Sequence, residues 1–279
     1  MTIDEIIDNP LAEDIGDGDH TTLATIPADA MGSARLLIKD TGILCGVDIA
    51  SAVFHKVDPD LQLNIYIRDG AAVKRGEIAF TVKGRIASIL QSERLVLNFM
   101  QRLSGIATAT GRVVKKIEGL HTRILDTRKT TPLLRGLEKY AVITGGGTNH
   151  RMGLYDMIMI KDNHVDYAGG IILAIDRVHD YMKRTGKILK IEIEVRNFTE
   201  LQQVIGHGGV DRIMLDNFTS EDMKEAVRLI AGRFETEASG GITEENVCDF
   251  AGTGVDFISM GALTHRIISL DMSLKAETC

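Results

Sequence analysis

Positive charge is concentrated in one short stretch of the sequence. Residues 126–151, DTRKTTPLLRGLEKYAVITGGGTNHR, contain five cations, three consecutive glycines and a histidine, with Glu138 as the one interior acid. The whole chain is acidic, with 39 acidic against 32 basic residues. A charge run is commonly a solvated surface, but arginine also offers a planar fork to carboxylates and lysine a point charge to phosphate. The stretch therefore predicts a pocket for a small, strongly anionic ligand.

Six short runs after residue 122 alternate with segments of helical period. They are RIL (123–125), MIMI (157–160), KIEIEV (190–195), RIML (212–215), ETEA (235–238) and FISM (257–260). Strands that alternate with helices imply right-handed βαβ units and a parallel sheet. A complete barrel of this kind has eight strands. Six units therefore indicate an open or incomplete α/β barrel.

Polar residues and glycines lie at the ends of these six runs. In chain order they are Asp126-Thr127-Arg128-Lys129, Lys161-Asp162-Asn163-His164, Glu194, Asp216-Asn217, Ser239-Gly240-Gly241 and Gly261. A single polar residue after a strand is ordinarily the cap of the next helix. The carboxyl ends of parallel barrel strands converge on one mouth, where active sites are built. Six such groups in succession predict one site at that mouth.

The residue types at the predicted mouth indicate two kinds of ligand. Glycine backbone at Gly240, Gly241 and Gly261, with helix starts expected behind it, is suited to cradle a phosphate. Glu194 and Asp216 offer hard oxygen ligands for Mg²⁺ carried in by a polyphosphate. The sequence therefore predicts one anionic substrate and one phosphorylated substrate with bound magnesium.

Several other kinds of site are disfavoured by missing motifs. The GGGTNH stretch (145–150) is neither a Walker A loop nor a Rossmann fingerprint. There is no HExxH motif, and the eight histidines show no metal-ligand spacing. The absence of G-x-S-x-G disfavours a Ser-His-Asp hydrolase.

The residues before the barrel have a different texture. Short β-like runs lie within residues 33–82, and residues 86–117 carry apolar side chains at three- and four-residue steps, which predicts a long helix. Gly105 and Gly111 are expected to weaken that helix locally. The stretch RDGAAVKRGEIAFTV (68–82) is similar to a lipoyl-type turn but lacks an exposed lysine tip, so it is interpreted as turn chemistry.

Composition narrows the class of protein further. Cys45, Cys248 and Cys279 are odd in number and widely spaced, which favours a reducing cytoplasm over a disulfide scaffold. The sequence shows no signal peptide and no apolar run of membrane-spanning length. The net charge of −7 and the absence of tryptophan disfavour a nucleic-acid binder. A soluble cytoplasmic protein is expected, without a membrane or nucleic-acid partner.

Nearly the whole chain resembles the quinolinate phosphoribosyltransferase family. The similarity is carried by LAEDIGDGDHTT (11–22), SERLVLNFMQRLSGIATAT (92–110), LDTRKTTPLLRGLEKYAV (125–142), GGGTNHRMGLYDMIMIKDNH (145–164), IEIEV (191–195), IMLDNF (213–218), ASGGI (238–242) and GVDFISMGALTH (254–265). The resemblance implies an N-terminal α/β sandwich over residues 1–105, to which the tail 267–279 returns. It also implies an incomplete barrel over residues 106–266 that carries the active site.

The resemblance also implies an activity and roles for residues. Family members use quinolinate, phosphoribosyl pyrophosphate and Mg²⁺ to make nicotinate mononucleotide, CO₂ and pyrophosphate in NAD biosynthesis. The implied quinolinate contacts are Arg128, His150, Arg151 and Lys161, with Arg94 supplied by the neighbouring subunit of a homodimer or larger assembly. The implied phosphoribosyl pyrophosphate side comprises Lys129, Glu194, Asp216, Ser239, Gly240 and Gly261, and Glu194 and Asp216 are the implied Mg²⁺ ligands. Thr127 and Gly241 are further expected substrate-binding residues. Two departures from the family pattern are EASGG, where two serines are common, and Arg266, where one serine is common.

Three alternatives stay open at the level of sequence. A molybdenum-transport-associated paralogue shares much of the barrel, although the complete NHR and IKDNH blocks favour the phosphoribosyltransferase. A Schiff-base aldolase would use Lys161 as its nucleophile, which requires a lysine in an apolar pocket or beside other cations. A non-catalytic anion-binding protein would not explain the paired acids Glu194 and Asp216.

Overall fold

The chain divides into two compact units. The structure is a computed structural model that describes residues 2–277. The first unit comprises the residues up to Gly111, the segment Thr130–Gly146 and the residues from Leu263 onward. The second comprises Arg112–Lys129 and Gly147–Ala262. Cys279, one of the three cysteines, lies outside the described residues.

Eleven helices and twelve strands are found among the described residues. Up to the end of the long helix they are α1 (Ile3–Ile15), α2 (His20–Thr25), β1 (Met31–Ile38), β2 (Gly42–Ile43), α3 (Val47–Val57), β3 (Gln62–Ile65), β4 (Ala72–Val73), β5 (Ile78–Arg85) and α4 (Ile86–Lys116). The next are β6 (Arg123–Leu125), α5 (Arg135–Thr144), β7 (Ile158–Ile160), α6 (Asp162–Ala168), α7 (Ile171–Thr185), β8 (Ile191–Val195), α8 (Phe198–His207) and β9 (Arg212–Asp216). The last are α9 (Ser220–Ile230), β10 (Glu235–Ser239), α10 (Val247–Ala251), β11 (Phe257–Ser259), α11 (Ala262–His265) and β12 (Met272–Glu277).

The first unit is built on an antiparallel sheet with strand order β12-β1-β5-β3. One face of α3 is buried, and its Phe54 meets Phe80 of β5 edge to face, with ring centroids 5.9 Å apart. Both rings are fully buried, so this aromatic pair fixes the helix on the sheet. The strand β12 pairs with β1 from Ser33–Glu277 to Ile38–Met272, which places the last of the described residues in this sheet.

The long helix α4 runs through both of its glycines. A Cβ on Gly105 would lie 2.4 Å from the backbone oxygen of Ile268, so only glycine allows the two backbones to approach so closely. A Cβ on Gly111 would likewise lie 2.4 Å from Cδ1 of Ile43. The loss of helix stability expected from glycine is therefore offset by this close packing. The helix predicted over 86–117 forms over Ile86–Lys116.

A buried carboxylate stabilises the first unit. Asp58 is 1% exposed and accepts hydrogen bonds from Nε of Arg85 at 2.9 Å, from Oγ of Ser88 at 2.7 Å and from the N–H of Asp60 at 3.1 Å. The bonds from Arg85 and Ser88 lower the pKa of Asp58 to about 2. A carboxyl group with a lowered pKa stabilises the fold above its ordinary pKa, and that stabilisation is lost as the pH falls towards the lowered value.

We expect Asp58→Asn to destabilise the protein at pH 7 by about 1.5–3 kcal/mol, the typical contribution of hydrogen bonds to a charged group. Urea unfolding measures the effect. The difference between variant and wild type should shrink as the pH falls from 4 towards about 2, because wild-type Asp58 then becomes protonated. Asp29→Asn, at an exposed position, is the matched control. A difference that does not change with pH would show that the Asp58 charge is not involved.

The second unit is built on a parallel sheet with strand order β6-β11-β10-β9-β8-β7. All six strands predicted from the sequence are present, within two residues of their expected bounds. Among the described residues, β6 and β7 form the two edges of the sheet and do not pair with each other. The predicted open α/β barrel is confirmed.

The interior of this sheet is charged at several positions. Alternate residues of a strand share a face, so Glu192 and Glu194 of β8 lie on one face of that strand. Strand pairing sets Glu192 against Arg212, and Asp216 against Ser239. Barrel interiors are usually filled by branched apolar side chains, so this charged face indicates function.

Across residues 2–277, none of the helices is long and apolar enough to cross a membrane.

Candidate active site

A buried aspartate joins the DTRK and NHR blocks. The segment after the three glycines runs alongside β6, where the N–H of Thr148 donates to the carbonyl of Ile124 at 2.8 Å. Asp126, fully buried at the end of β6, accepts the N–H of His150 at 2.9 Å. The structure therefore brings Arg128 and Arg151, predicted from two separate motifs, to the same edge of the sheet.

Two guanidinium groups lie within electrostatic range of each other at this edge. Partial burial, and then the positive charge of Arg128, hold the pKa of Arg151 below its ordinary value. Nη1 of Arg151 donates to the carbonyl of Met157 at 3.1 Å, which fixes the direction of its side chain. Nearby, the hydroxyl of Thr127 accepts the N–H of Lys129 at 3.0 Å, which holds the turn after β6. Like charges held together in a partly buried position favour an anionic ligand between them.

Lys161 and Glu194 join the cationic and acidic parts of the site. Lys161 follows β7 and Glu194 lies near the end of β8, the neighbouring strand. Nζ of Lys161 lies 2.8 Å from Oε2 of Glu194, and the two side chains are 46% and 7% exposed. The N–H of Lys161 also donates to Nδ1 of His164 at 2.9 Å. A lysine paired with a carboxylate and half exposed does not occupy the apolar pocket that the aldolase alternative requires.

Asp216 lies one strand further along, at the end of β9. Burial, and then the negative charge of Glu194, raise the pKa of Asp216 above its ordinary value. A hydrogen bond with Ser239 of β10 acts in the opposite direction. Two carboxylates that repel each other across neighbouring strands form a suitable pair of oxygen ligands for a divalent cation. The residues present therefore fit a bound Mg²⁺.

The turn after β10 requires glycine. Gly240 has φ +93°, and a Cβ there would lie 2.2 Å from Oδ1 of Asn217, so this turn packs directly on the turn after β9. The expected helix start behind Gly241 is wrong, because α10 begins only at Val247. In its place the side chain of Asn246 closes a turn, accepting the N–H of Thr243 at 2.7 Å and donating to the carbonyl of Gly241 at 3.2 Å. Gly261 follows β11 after Met260, and α11 begins directly after it at Ala262, as expected.

A buried charged cluster lies below the mouth, and sequence reasoning missed most of it. Nε2 of His150 lies 3.0 Å from Glu192 and 3.3 Å from Glu237. Nη1 of Arg212 donates to Glu237 at 3.0 Å, and its guanidinium lies 4.0 Å from the ring centre of Phe257. The available signal was the alternation of acids in IEIEV and ETEAS. It places Glu192 and Glu237 on the same strand faces as Glu194 and Ser239, but two residues further from the carboxyl ends of the strands.

The cluster holds one proton that two residues can share at neutral pH. Burial opposes charge on the His150 ring, but the carboxylates of Glu192 and Glu237 beside it outweigh this and raise the pKa of His150 to about 9. Nδ1 of His150 nevertheless accepts the N–H of Arg151 at 2.6 Å, which requires a lone pair on Nδ1. The proton can instead rest on Glu192, because burial and the charge of Glu237 raise the pKa of Glu192 to about 7. His150 and Glu192 therefore titrate together.

The remaining predicted site residue, Arg94, belongs to the first unit. It lies on α4 and is exposed, whereas Leu95, Val96 and Leu97 beside it are buried. The other predicted site residues all belong to the second unit.

A separate surface cavity contains none of the predicted site residues. Its volume is about 580 Å³, and it is lined by residues of α6, α7 and α8 and of the turns before α7 and α8. Its one arginine, Arg196, already pairs with Asp166 at 2.9 Å and with Glu200 at 2.6 Å. Because this guanidinium is bound by two acids of its own unit, the cavity is a poor anion site.

The fold and the strand-end residues define an open α/β barrel with paired cationic and acidic groups at its mouth. The family model for the quinolinate phosphoribosyl transferase C-terminal domain matches residues 106–275, and that for the N-terminal domain matches residues 19–104. Quinolinate phosphoribosyltransferase [decarboxylating] 1b of Nicotiana tabacum is 45% identical, covering 98% of this chain and 82% of the relative. The chloroplastic nicotinate-nucleotide pyrophosphorylase [carboxylating] of Arabidopsis thaliana is likewise 45% identical over 98% of this chain and 82% of its own length.

A solved structure shows the same fold over nearly the entire chain. The nicotinate-nucleotide pyrophosphorylase of Francisella tularensis matches with a TM-score of 0.92 and 41% identity, covering 99% of this chain and 96% of that one. The chain belongs to the quinolinate phosphoribosyltransferase family.

Proposed function

We propose that the protein transfers the phosphoribosyl group of phosphoribosyl pyrophosphate to quinolinate, giving nicotinate mononucleotide, CO₂ and pyrophosphate. One observation carries the proposal beyond family membership. The Lys161–Glu194 contact of 2.8 Å joins a cationic half of the site, with Arg128 and Arg151, to an acidic half with Asp216. A dianionic substrate and a magnesium-bound phosphorylated substrate together require such a divided site.

The cationic half is assigned to quinolinate. Arg128 and Arg151 offer planar forks to its two carboxylates, and Lys161 adds a point charge. The electrostatic repulsion between Arg128 and Arg151 is offset when a dianion binds between them. His150 lies directly behind Arg151 and belongs to the same half. Arg94 is assigned to the same substrate in the neighbouring subunit of a homodimer.

The acidic half is assigned to Mg²⁺ and phosphoribosyl pyrophosphate. Glu194 and Asp216 would hold the cation, which when bound neutralises the pyrophosphate and strengthens it as a leaving group. Lys129 and Thr127, in the turn after β6, and Ser239 contact the phosphates in this assignment. Gly240, Gly241 and Gly261 leave room for the phosphate oxygens to approach the backbone.

The reaction proceeds in two bond exchanges. The pyridine nitrogen of quinolinate attacks C1 of the ribose while the bond from C1 to the pyrophosphate oxygen breaks, and Lys129 stabilises the charge that develops on the departing oxygen. The nitrogen is now a pyridinium. The bond between the ring carbon next to this nitrogen and its carboxylate carbon then breaks, and CO₂ leaves. The electron pair stays on the ring carbon, where the pyridinium charge stabilises it until a proton is taken up. The protein supplies orientation and preorganised positive charge.

The purified chain, incubated with quinolinate, phosphoribosyl pyrophosphate and Mg²⁺, is expected to form nicotinate mononucleotide, detected chromatographically. Nicotinate tests specificity, because it lacks the second carboxylate that the paired arginines are assigned to bind. Equal activity with nicotinate would contradict the decarboxylating assignment. We assign this activity to the cytoplasm, where the thiols of Cys45 and Cys248 would stay reduced.

Arg151→Ala is expected to weaken quinolinate binding by roughly tenfold or more, because a charge-assisted hydrogen bond contributes about 1.5–3 kcal/mol. Arg151→Lys should restore only part of the loss, since lysine lacks the bidentate fork. Calorimetric titration with quinolinate measures both variants. Arg228→Ala, an exposed arginine paired with Glu225 on α9, serves as the control. Unchanged affinity in Arg151→Ala would remove this residue from the site.

A further inference from the structure

The buried cluster of His150, Glu192, Glu237 and Arg212 is costly in stability. Glu192 and Glu237 are 0% exposed, and three of their four carboxylate oxygens lack a hydrogen bond of good geometry. Buried charges lose hydration, and replacing a buried ion pair by apolar residues is often neutral or stabilising. Other barrels fill these positions with branched apolar side chains. The cluster therefore calls for an explanation other than stability.

Through His150, the buried cluster contacts Arg151, the residue assigned to bind a substrate carboxylate. Nε2 of His150 faces Glu192 and Glu237, while its Nδ1 accepts the N–H of Arg151 at 2.6 Å. The N–H of His150 itself donates to Asp126 at 2.9 Å. The ring is thus held from below by two carboxylates, and it holds the backbone of Arg151 above.

Strand pairing makes the two carboxylates a rigid support. Glu192 is the second residue of β8 and Glu237 is the middle residue of β10, and both strands pair with β9. Arg212, on β9, bonds to Glu237 at 3.0 Å and to Glu235 at 3.1 Å, so it keeps one of the two acids in place. Side chains on paired strands support a site more accurately than side chains on loops. His150 and Arg151 lie outside helices and strands and depend on this support.

We propose that Glu192 and Glu237 are positioning residues, which orient His150 and through it Arg151 for recognition of a substrate carboxylate. This inference rests on the proposed function, because it takes quinolinate as the ligand of Arg151. It assigns a role to two acids that themselves lie below the mouth and contact no substrate. It also predicts that they act chiefly on quinolinate, since His150 contacts Arg151 directly.

The same three ligand side chains could instead hold a metal ion, since the ligand atoms of His150, Glu192 and Glu237 lie within 4.8 Å of one another. The guanidinium of Arg212 argues against this. It already supplies a positive charge to Glu237 at 3.0 Å, and a divalent cation would have to bind directly beside it. The arrangement fits a proton between His150 and the acids better than a metal.

Glu192→Gln and Glu237→Gln test the proposal, with Glu235→Gln as the matched control on β10. Glu235 contacts Arg212 and Lys190. Quinolinate affinity is measured by calorimetry without the second substrate, the KM of each substrate is measured in the assay, and the melting temperature is recorded. We expect Glu192→Gln and Glu237→Gln each to weaken quinolinate binding by about tenfold or more. The KM of phosphoribosyl pyrophosphate should change by less than about twofold. The melting temperature should change little in Glu192→Gln, and it should fall in Glu237→Gln because Arg212 loses a charged partner at 3.0 Å. Glu235→Gln should match the wild type.

Each other outcome has a definite meaning. If the wild type itself binds no quinolinate, the proposed function fails and not only this inference. If the wild type binds quinolinate and both glutamine variants bind it equally well, the positioning role is wrong. The role is also wrong if both substrates and the melting temperature are affected together, because the acids then act on the fold. Loss of quinolinate binding after dialysis against a chelator, with bound zinc present in the wild type and absent from Glu192→Gln, would replace the positioning role by a metal site.

Discussion

Arg94→Ala and Arg151→Ala are each expected to be nearly inactive alone and to recover about a quarter of wild-type activity when they are combined in mixed dimers. Assays at quinolinate concentrations far below KM reveal the defects most clearly, because each variant lacks one charged contact to that substrate. Arg94 is exposed on α4, whereas Arg151 lies at the carboxyl edge of the parallel sheet. The proposal places Arg94 of one subunit in the site of the other.

The expected recovery follows from two-fold symmetry. Unfolding and refolding equal amounts of the two variants makes about half of the dimers mixed. In a mixed dimer one site carries both defects and the other carries neither, so half of the sites in half of the dimers are intact. Mass measurement shows whether mixed dimers have formed. If they have formed and no activity returns, Arg94 acts in its own subunit or has no role in the site.

Glu194→Gln and Asp216→Asn are expected to lower kcat/KM for phosphoribosyl pyrophosphate by about a hundredfold or more, since each removes a charged group that orients the reacting phosphates. The two variants should differ towards quinolinate. Asp216→Asn should bind quinolinate as the wild type does. Glu194→Gln should bind it equally well or more tightly, because Lys161 loses its carboxylate partner at 2.8 Å and becomes available to the substrate.

Rates over a range of Mg²⁺ and phosphoribosyl pyrophosphate concentrations, together with calorimetry of quinolinate alone, measure these effects. Glu221→Gln, an exposed acid in the first turn of α9, is the control. Loss of quinolinate binding with an unchanged dependence on magnesium would show that the two halves of the site are assigned the wrong way round.

The strand positions of the barrel were predictable because each strand is a short run followed by a polar group or glycine. The same feature indicated Arg128, Lys161, Glu194 and Asp216, since the residues at the carboxyl ends of parallel strands must converge. The Asp126–His150 contact was not predictable, because it joins residues 24 positions apart with α5 between them, and His150 itself lies outside helices and strands. The start of α10 was misplaced because the Asn246 side chain closes a turn where a helix was expected.

The buried cluster shows a different limit of sequence analysis. Glu192 lies between Ile191 and Ile193, and Glu237 lies between Thr236 and Ala238. An acid in a strand is ordinarily expected to face solvent. Their partners His150 and Arg212 come from distant segments, so their mutual neutralisation is visible only in three dimensions. Gly105 weakens a helix by its residue type alone, and only the backbone of Ile268 against it explains why glycine is required there.

The most direct test of the account follows the carboxylate adjacent to the ring nitrogen of quinolinate. With that carboxyl carbon isotopically labelled, we expect release of one labelled CO₂ for each nicotinate mononucleotide formed, and only when phosphoribosyl pyrophosphate and Mg²⁺ are both present. This dependence follows because the alkylated nitrogen must be in place to stabilise the electron pair left by CO₂. Release of labelled CO₂ without phosphoribosyl pyrophosphate, or a nucleotide product that retains the label, would contradict it.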